Sequence, residues 1–237
     1  MSPEDCVRGV AGPVGRLGAA WMLDPGTAAR GTELGLGTWP WYHCGRGGVL
    51  GDGDAAVVIA AFGFFPPDLQ RKAWDRGRAV LPVGQIAGEY AAACVDWGRR
   101  TLPDDGRLTA LLERAMAASA TAGLPVFAGW RALLAASTVD GPGRLALAIQ
   151  VAREHRGGYH LVAVTAAGID PLQAVVSGRY GTDNAAFFGW PPPWPAPSVA
   201  AADMKLVEVV TDELVLPAYA ALTDDERVEL VTGLRAL

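Results

Sequence analysis

Lysine is nearly missing from this chain: Lys72 and Lys205 are the only two in 237 residues, and the remaining positive charge is arginine. The formal charge is −5 and no run of Lys or Arg exceeds a pair. Such a composition argues against a phosphate-tracking surface, because non-specific nucleic-acid affinity comes mainly from cations displacing counterions. Cysteine is scarce too. Cys6, Cys44 and Cys94 are odd in number, widely spaced and free of any CxxC pair, which points away from a disulfide framework and a thiolate zinc site. No stretch approaches the ~18 uninterrupted apolar residues of a membrane span. The start, "MSPEDCVRGV", has no apolar core of signal-peptide length. A cytoplasmic protein without a membrane partner is expected. The P-loop, Rossmann, Gly-x-Ser-x-Gly and HExxH signatures are all missing, so no cofactor and no metal site is expected.

Strand alternation is missing as well, and an all-α fold follows. Half of the residues are apolar (51%), enough for a substantial core. In Pro125 to Ser137, Val126, Phe127, Trp130, Leu133 and Leu134 fall on one helical stripe. Asp24-Pro25 and Asp170-Pro171 each pair a capping residue with proline at the first helical position. Asp52 or Asp54 is placed to cap "AAVVIAAFGFF", and Thr223 with Glu226 forms a capping box. The segment "HLVAVTAAGIDPLQAVV" divides at Gly168 into a helix-turn-helix outline. By contrast, "GWPPPWPAPS" must be irregular.

Landmarks recur in order along the chain. "GPVGRL" from Gly12 is echoed by "GPGRL" from Gly141, and "AAFGFFPP" from Ala60 by "AAFFGWPPP" from Ala185. "LPDDGRL" from Leu102 returns as "LTDDERV" from Leu222. A tandem duplication is the reading, with two degenerate helical halves, residues 1–120 and 121–237, divided near "SATAGLP".

Three constellations could carry chemistry. "TWPWYHCGRGGVLGDGD" from Thr38 holds Trp39, Trp41, Tyr42, His43 and Arg46 among glycines that permit positive φ and close approach to a ligand. Arg46 could pair with a carboxylate or phosphate, and His43 could move protons. A tight Gly-rich helix connection would account for the same stretch. "REHRGGYH" places His155, Tyr159 and His160 around a Gly-Gly turn, at a spacing that makes a poor metal signal. Glu208 and Asp212 share a helix face, either as acid–base groups or as a tie to an arginine of the other half. Eight tryptophans complete the picture, with Trp39/Trp41 and Trp190/Trp194 at matching junctions. They suit an apolar pocket for a flat ligand, or simply the seam between packed repeats.

Together "HRGGYHLVAVTAAGIDPLQAVV", "FFGWPPPW", "EVVTDELVLPAYAAL" and the front stretch from "AGPVGRLGAAWMLDP" resemble an actinobacterial family of MarR-like helix-turn-helix proteins. The resemblance implies winged-helix architecture and a homodimer. It departs from the family's pattern where only Pro195 to Leu206 is left for a wing. The second-half reading helix, "DPLQAVVSGRYG", would offer bases only Gln173, Ser177 and Arg179, which disfavours DNA as a partner. The expectation is a small-molecule pocket protein of specialised metabolism, possessing acid–base chemistry if it is an enzyme. Its catalytic candidates are His160, Arg46 and Asp212, and its ligand-binding candidates Trp39, Trp41, Tyr42, His43, Arg46, Tyr159 and Trp190. The alternative is a ligand-responsive MarR-like transcriptional regulator.

Overall fold

A computed structural model describes all 237 residues. The chain is entirely helical, without a strand. In chain order the helices are α1 (Pro3–Ala20), α2 (Pro25–Glu33), α3 (Thr38–Gly47), α4 (Ala55–Phe62), α5 (Pro67–Val80), α6 (Val83–Thr101) and α7 (Gly106–Ala117). They continue as α8 (Pro125–Ala136), α9 (Gly141–Ala166), α10 (Pro171–Ser177), α11 (Gly181–Phe187), α12 (Ala201–Ala220) and α13 (Asp224–Ala236).

Helix starts follow the capping residues. The Asp24 carboxylate accepts from the amides of Gly26 and Thr27, Asp54 from Ala56, and Asp170 from Leu172 and Gln173. Each acceptor satisfies amides that the first helical turn leaves unpaired. Thr223 and Glu226 make both bonds of the capping box that opens α13.

The centre is α9. Its residues Leu145 to Ala152 are buried without interruption, so this part of the helix is enclosed on all sides rather than amphipathic. It packs against α1, α6, α7, α8 and α12. The main core unites 47 buried residues drawn from both 1–120 and 121–237, and α1 closes it by packing on α12 and α13. Missing side chains set the closest approaches. A Cβ on Gly98 would lie 2.6 Å from the Pro142 carbonyl oxygen, so α6 can cross α9 at that distance only with glycine there.

Two expectations change here. "TWPWYHCGRG" is itself the helix α3, and of the five glycines from Gly45 to Gly53 only Gly51 has positive φ (85°). Gly45 serves packing instead: its missing Cβ would meet the Tyr90 ring of α6 at 2.4 Å. "REHRGGYH" makes no turn either. Gly157 and Gly158 lie inside α9, where Leu124 fills the space beside Gly158. Intrinsic glycine cost is about 1 kcal/mol per residue, small beside the burial of this helix.

Candidate functional site

At the meeting of α3 with α9, Arg46 and Glu154 form a buried bidentate pair, Nε and Nη2 each 2.8 Å from a carboxylate oxygen. Their side chains are 11% and 1% exposed. The Arg46 Nη1 donates to the Tyr42 hydroxyl (3.0 Å), and the guanidinium carbon sits 4.2 Å from the centre of the Phe62 ring. Glu154 also accepts from Gln150 (2.7 Å) and Arg153 (3.1 Å), while Gln150 accepts from the Trp21 indole (3.2 Å). Burial alone would penalise both charges. The carboxylate beside Arg46 nonetheless holds the guanidinium firmly protonated, and Arg46 with Arg153 and Gln150 holds Glu154 below its ordinary value.

Two adjoining chambers share a wall made by Tyr42, Phe65, Arg153 and Phe188. The larger, about 610 Å³, runs between the α3–α4 region and α9, and reaches Arg46, Glu154, Arg156, His160 and Glu208. The smaller, about 390 Å³, is lined largely by apolar side chains, including Met22, Leu36, Trp39, Trp41, Tyr90 and Phe187. Both fall within the size range of small-molecule sites.

His160 faces the larger chamber from α9. Thr211 donates its hydroxyl hydrogen to the Val207 carbonyl (2.7 Å), so it can only accept from His160 Nδ1, 3.3 Å away. Glu208 Oε1 stands 3.5 Å from the same nitrogen. This network assigns the proton to Nδ1 and leaves Nε2 as an acceptor. Burial and then Arg156 lower the His160 pKa against the opposing pull of Glu208, which favours the neutral ring.

The remaining sequence candidates divide. Trp39, Trp41 and Tyr42 line the smaller chamber together. Arg46 reaches the larger one, but its nitrogens are engaged by Glu154 and Tyr42. His43 lies behind both chambers, fully buried among Trp39, Tyr42, Phe62 and Phe65, with Nδ1 on the Trp39 carbonyl. Burial pushes its pKa down to about 4. Tyr159 packs on the His155 ring, and Trp190 donates to the Phe64 carbonyl, tying α11 to the α4–α5 turn. Asp212 pairs with Arg156 at 2.6 Å; that arginine belongs to α9, within the same half, and not to residues 1–120. Glu154, Gln150 and Arg153 were missed. Their signal was available: a Gln and a Glu four apart inside the apolar run "LALAIQVAREH".

The sequence pattern of a helix-turn-helix family matches residues 7–206. The chain belongs to that helix-turn-helix family. No curated protein and no solved structure matches it.

An outline of two helices joined by a tight turn lies where α10 leaves α9 at a bend of 107° after Gly168, whose φ is 66°. The polar side chains of α10 are engaged by the segment that follows α11. Gln173 donates to the Ala196 carbonyl and accepts from the Ser198 amide, and Ser177 accepts from Val199, so both brace the proline-rich segment. Arg179 alone of the three base-reading candidates is exposed, its guanidinium over the Tyr180 ring. In the first half, α3 buries Trp41, His43, Cys44, Gly45 and Gly47. No single helix is long and apolar enough to cross a membrane.

Proposed function

We propose that this helix-turn-helix family member binds a small molecule in the two adjoining chambers where residues 1–120 meet residues 121–237. The observation that carries the reading is the convergence of α3 and α9: a desolvated Arg46–Glu154 pair stands beside an aromatic chamber of about 390 Å³ and a more polar one of about 610 Å³. His160, with Nδ1 held and Nε2 left to accept, is the residue suited to take a proton from a ligand in the larger chamber. The recurring sequence landmarks support an ancestral duplication, which would account for a cleft at this seam. Three free, buried cysteines suit a reducing cytoplasm.

A second reading, a ligand-responsive DNA-binding regulator, is supported by family membership and by the α9–α10 bend. In that reading the chambers are the effector site, and a dimer would present two reading helices to neighbouring grooves. The engagement of Gln173 and Ser177 by Ala196, Ser198 and Val199 and the net charge of −5 weigh against tight DNA binding in the conformation described.

One experiment addresses both. Thermal shift against a library of small aromatic metabolites is run on the wild type and on Ala28→Trp and Ala60→Trp, which place bulk at exposed lining positions of the smaller and larger chambers. Ligand stabilisation that one of these plugs abolishes is expected. Hits that neither plug alters, or no hits at all, refute the chamber reading. Mobility shift of the chain's own upstream DNA at low salt, with and without a hit, then decides the regulator reading.

A further inference from the structure

The wall of the smaller chamber is anchored unequally. Leu36, Trp41 and Tyr90 belong to the main core, whereas Phe187 and Phe188 come from the end of α11. No buried residue between Gly168 and Val199 joins that core. Val175, Val176 and Ala185 form a small cluster of their own, and Ala174 joins Ala163, Val164 and Val207 in another. Polar anchorage is equally slight: from residues 170–199 a single hydrogen bond reaches the rest of the chain, Trp190 Nε1 to the Phe64 carbonyl (2.9 Å). Inside the segment the bonds are plentiful. Gln173 holds Ala196 and Ser198, Ser177 holds Val199, and Trp194 donates to the Trp190 carbonyl, so α10, α11 and the proline-rich stretch form one piece.

Both ends of that piece lie on the same side. It leaves α9 at Gly168, whose φ is 66°, and runs into α12 after Val199, while the Ala174 cluster packs against those two helices. Its far end rests on the chamber by apolar contact. Phe188 meets Phe65 edge to face at 4.8 Å, and Gly189, with φ of 81°, lets the backbone sit where a Cβ would be 2.6 Å from Leu69 Cδ2 and 3.2 Å from Trp39 Cζ2. Few buried contacts across a boundary mean a low free energy of local opening, and a few residues at an element's end can absorb the rotation. Resting on the chamber reading, the geometry points to residues 169–199 as a lid over the smaller chamber. The lid pivots where it joins α9 and α12, lifts Phe187 and Phe188 from the wall to admit a ligand, and re-seats on Phe65 and Leu69 behind it.

The test needs no ligand. Hydrogen exchange read by mass spectrometry on the full chain compares residues 170–199 with Leu145 to Ala152 of α9. Access to the chamber is read with 5,5′-dithiobis(2-nitrobenzoate) on Leu36→Cys, a lining position that is 3% exposed, against the parent chain with its three buried cysteines as baseline. Each measurement is repeated with Trp190→Phe, which keeps the ring and deletes the bond to Phe64, with Gly189→Ala, which pushes the segment off Leu69, and with Gly12→Ala as control. The helical amides of 170–199 are expected to exchange about a hundred-fold or more faster than those of α9. Trp190→Phe and Gly189→Ala each raise that exchange and the Leu36→Cys labelling by about five-fold or more, with α9 exchange unchanged, and the control moves neither. Exchange in 170–199 no faster than in α9, or labelling that neither lid substitution accelerates, overturns the lid. Either result leaves the chambers themselves to be judged by the plugged variants.

Discussion

Replacing Arg46 by Met, Glu154 by Leu, and both together measures what joins α3 to α9. In Arg46→Met the Glu154 carboxylate, 1% exposed, retains Gln150 and Arg153 as partners, so it is not left bare. The expected loss is near the lower end of the roughly 3–5 kcal/mol for breaking a buried pair. In Glu154→Leu the Arg46 guanidinium keeps only the Tyr42 hydroxyl and the Phe62 face, while Gln150 and Arg153 also lose an acceptor. The expected loss there is about 4–5 kcal/mol. The double variant removes both charges and fills the space with apolar side chains, so its loss should fall well below the sum, with a coupling of about 2 kcal/mol or more. Urea unfolding followed by far-ultraviolet circular dichroism provides the free energies. Additivity within about 0.5 kcal/mol would mean that the two side chains do not depend on each other, and would refute the account of the junction.

Burial pushes His43 and His155 down to about 4, so between pH 6.5 and 4 the unfolded chain binds protons that the folded chain does not. Stability is therefore full above pH 6.5 and falls as the pH drops towards 4, by about 3 kcal/mol per histidine; urea midpoints that stay level from pH 7 to 4.5 would contradict this. Gly45→Ala places a methyl 2.4 Å from the Tyr90 ring and should destabilise by about 1–3 kcal/mol, whereas Gly12→Ala, with nothing within 4 Å, should be neutral or slightly stabilising. Thermal midpoints of the two variants separate these outcomes. Burial raises the Cys6 thiol to about 11 and the Cys44 thiol to about 12, with Cys94 also well above its ordinary value, so a thiol reagent should modify the native chain slowly and all three cysteines on unfolding. Rapid native labelling would show that the core opens readily.

Local features were legible because their causes are local. Asp24-Pro25, Asp170-Pro171 and the Thr223–Glu226 box each act within four residues of their own backbone, and each opens a helix as written. Gly168 ends α9 with positive φ, as its place before Asp170-Pro171 suggested. Glycine inside a helix is different. Gly45 and Gly157 look like turn signals in one dimension, yet both lie inside helices: Gly45 lets Tyr90 approach, and Gly157 has nothing within 4 Å of its missing Cβ.

Composition, capping and apolar periodicity by themselves determined an all-helical chain, the helix starts at Pro25, Ala55, Pro125, Pro171 and Asp224, and the aromatic character of Trp39, Trp41 and Tyr42. Tertiary structure alone decided that Arg46 is held by Glu154 from more than a hundred residues away, that Gln173 braces the proline-rich segment, and that Asp212 pairs with Arg156 rather than with an arginine of residues 1–120. Helix formation is a short-range balance of backbone hydrogen bonds and side-chain freedom, readable from neighbours in sequence. The partner of a buried charge is set by which helices cross, and that crossing is fixed by the fit of the whole core.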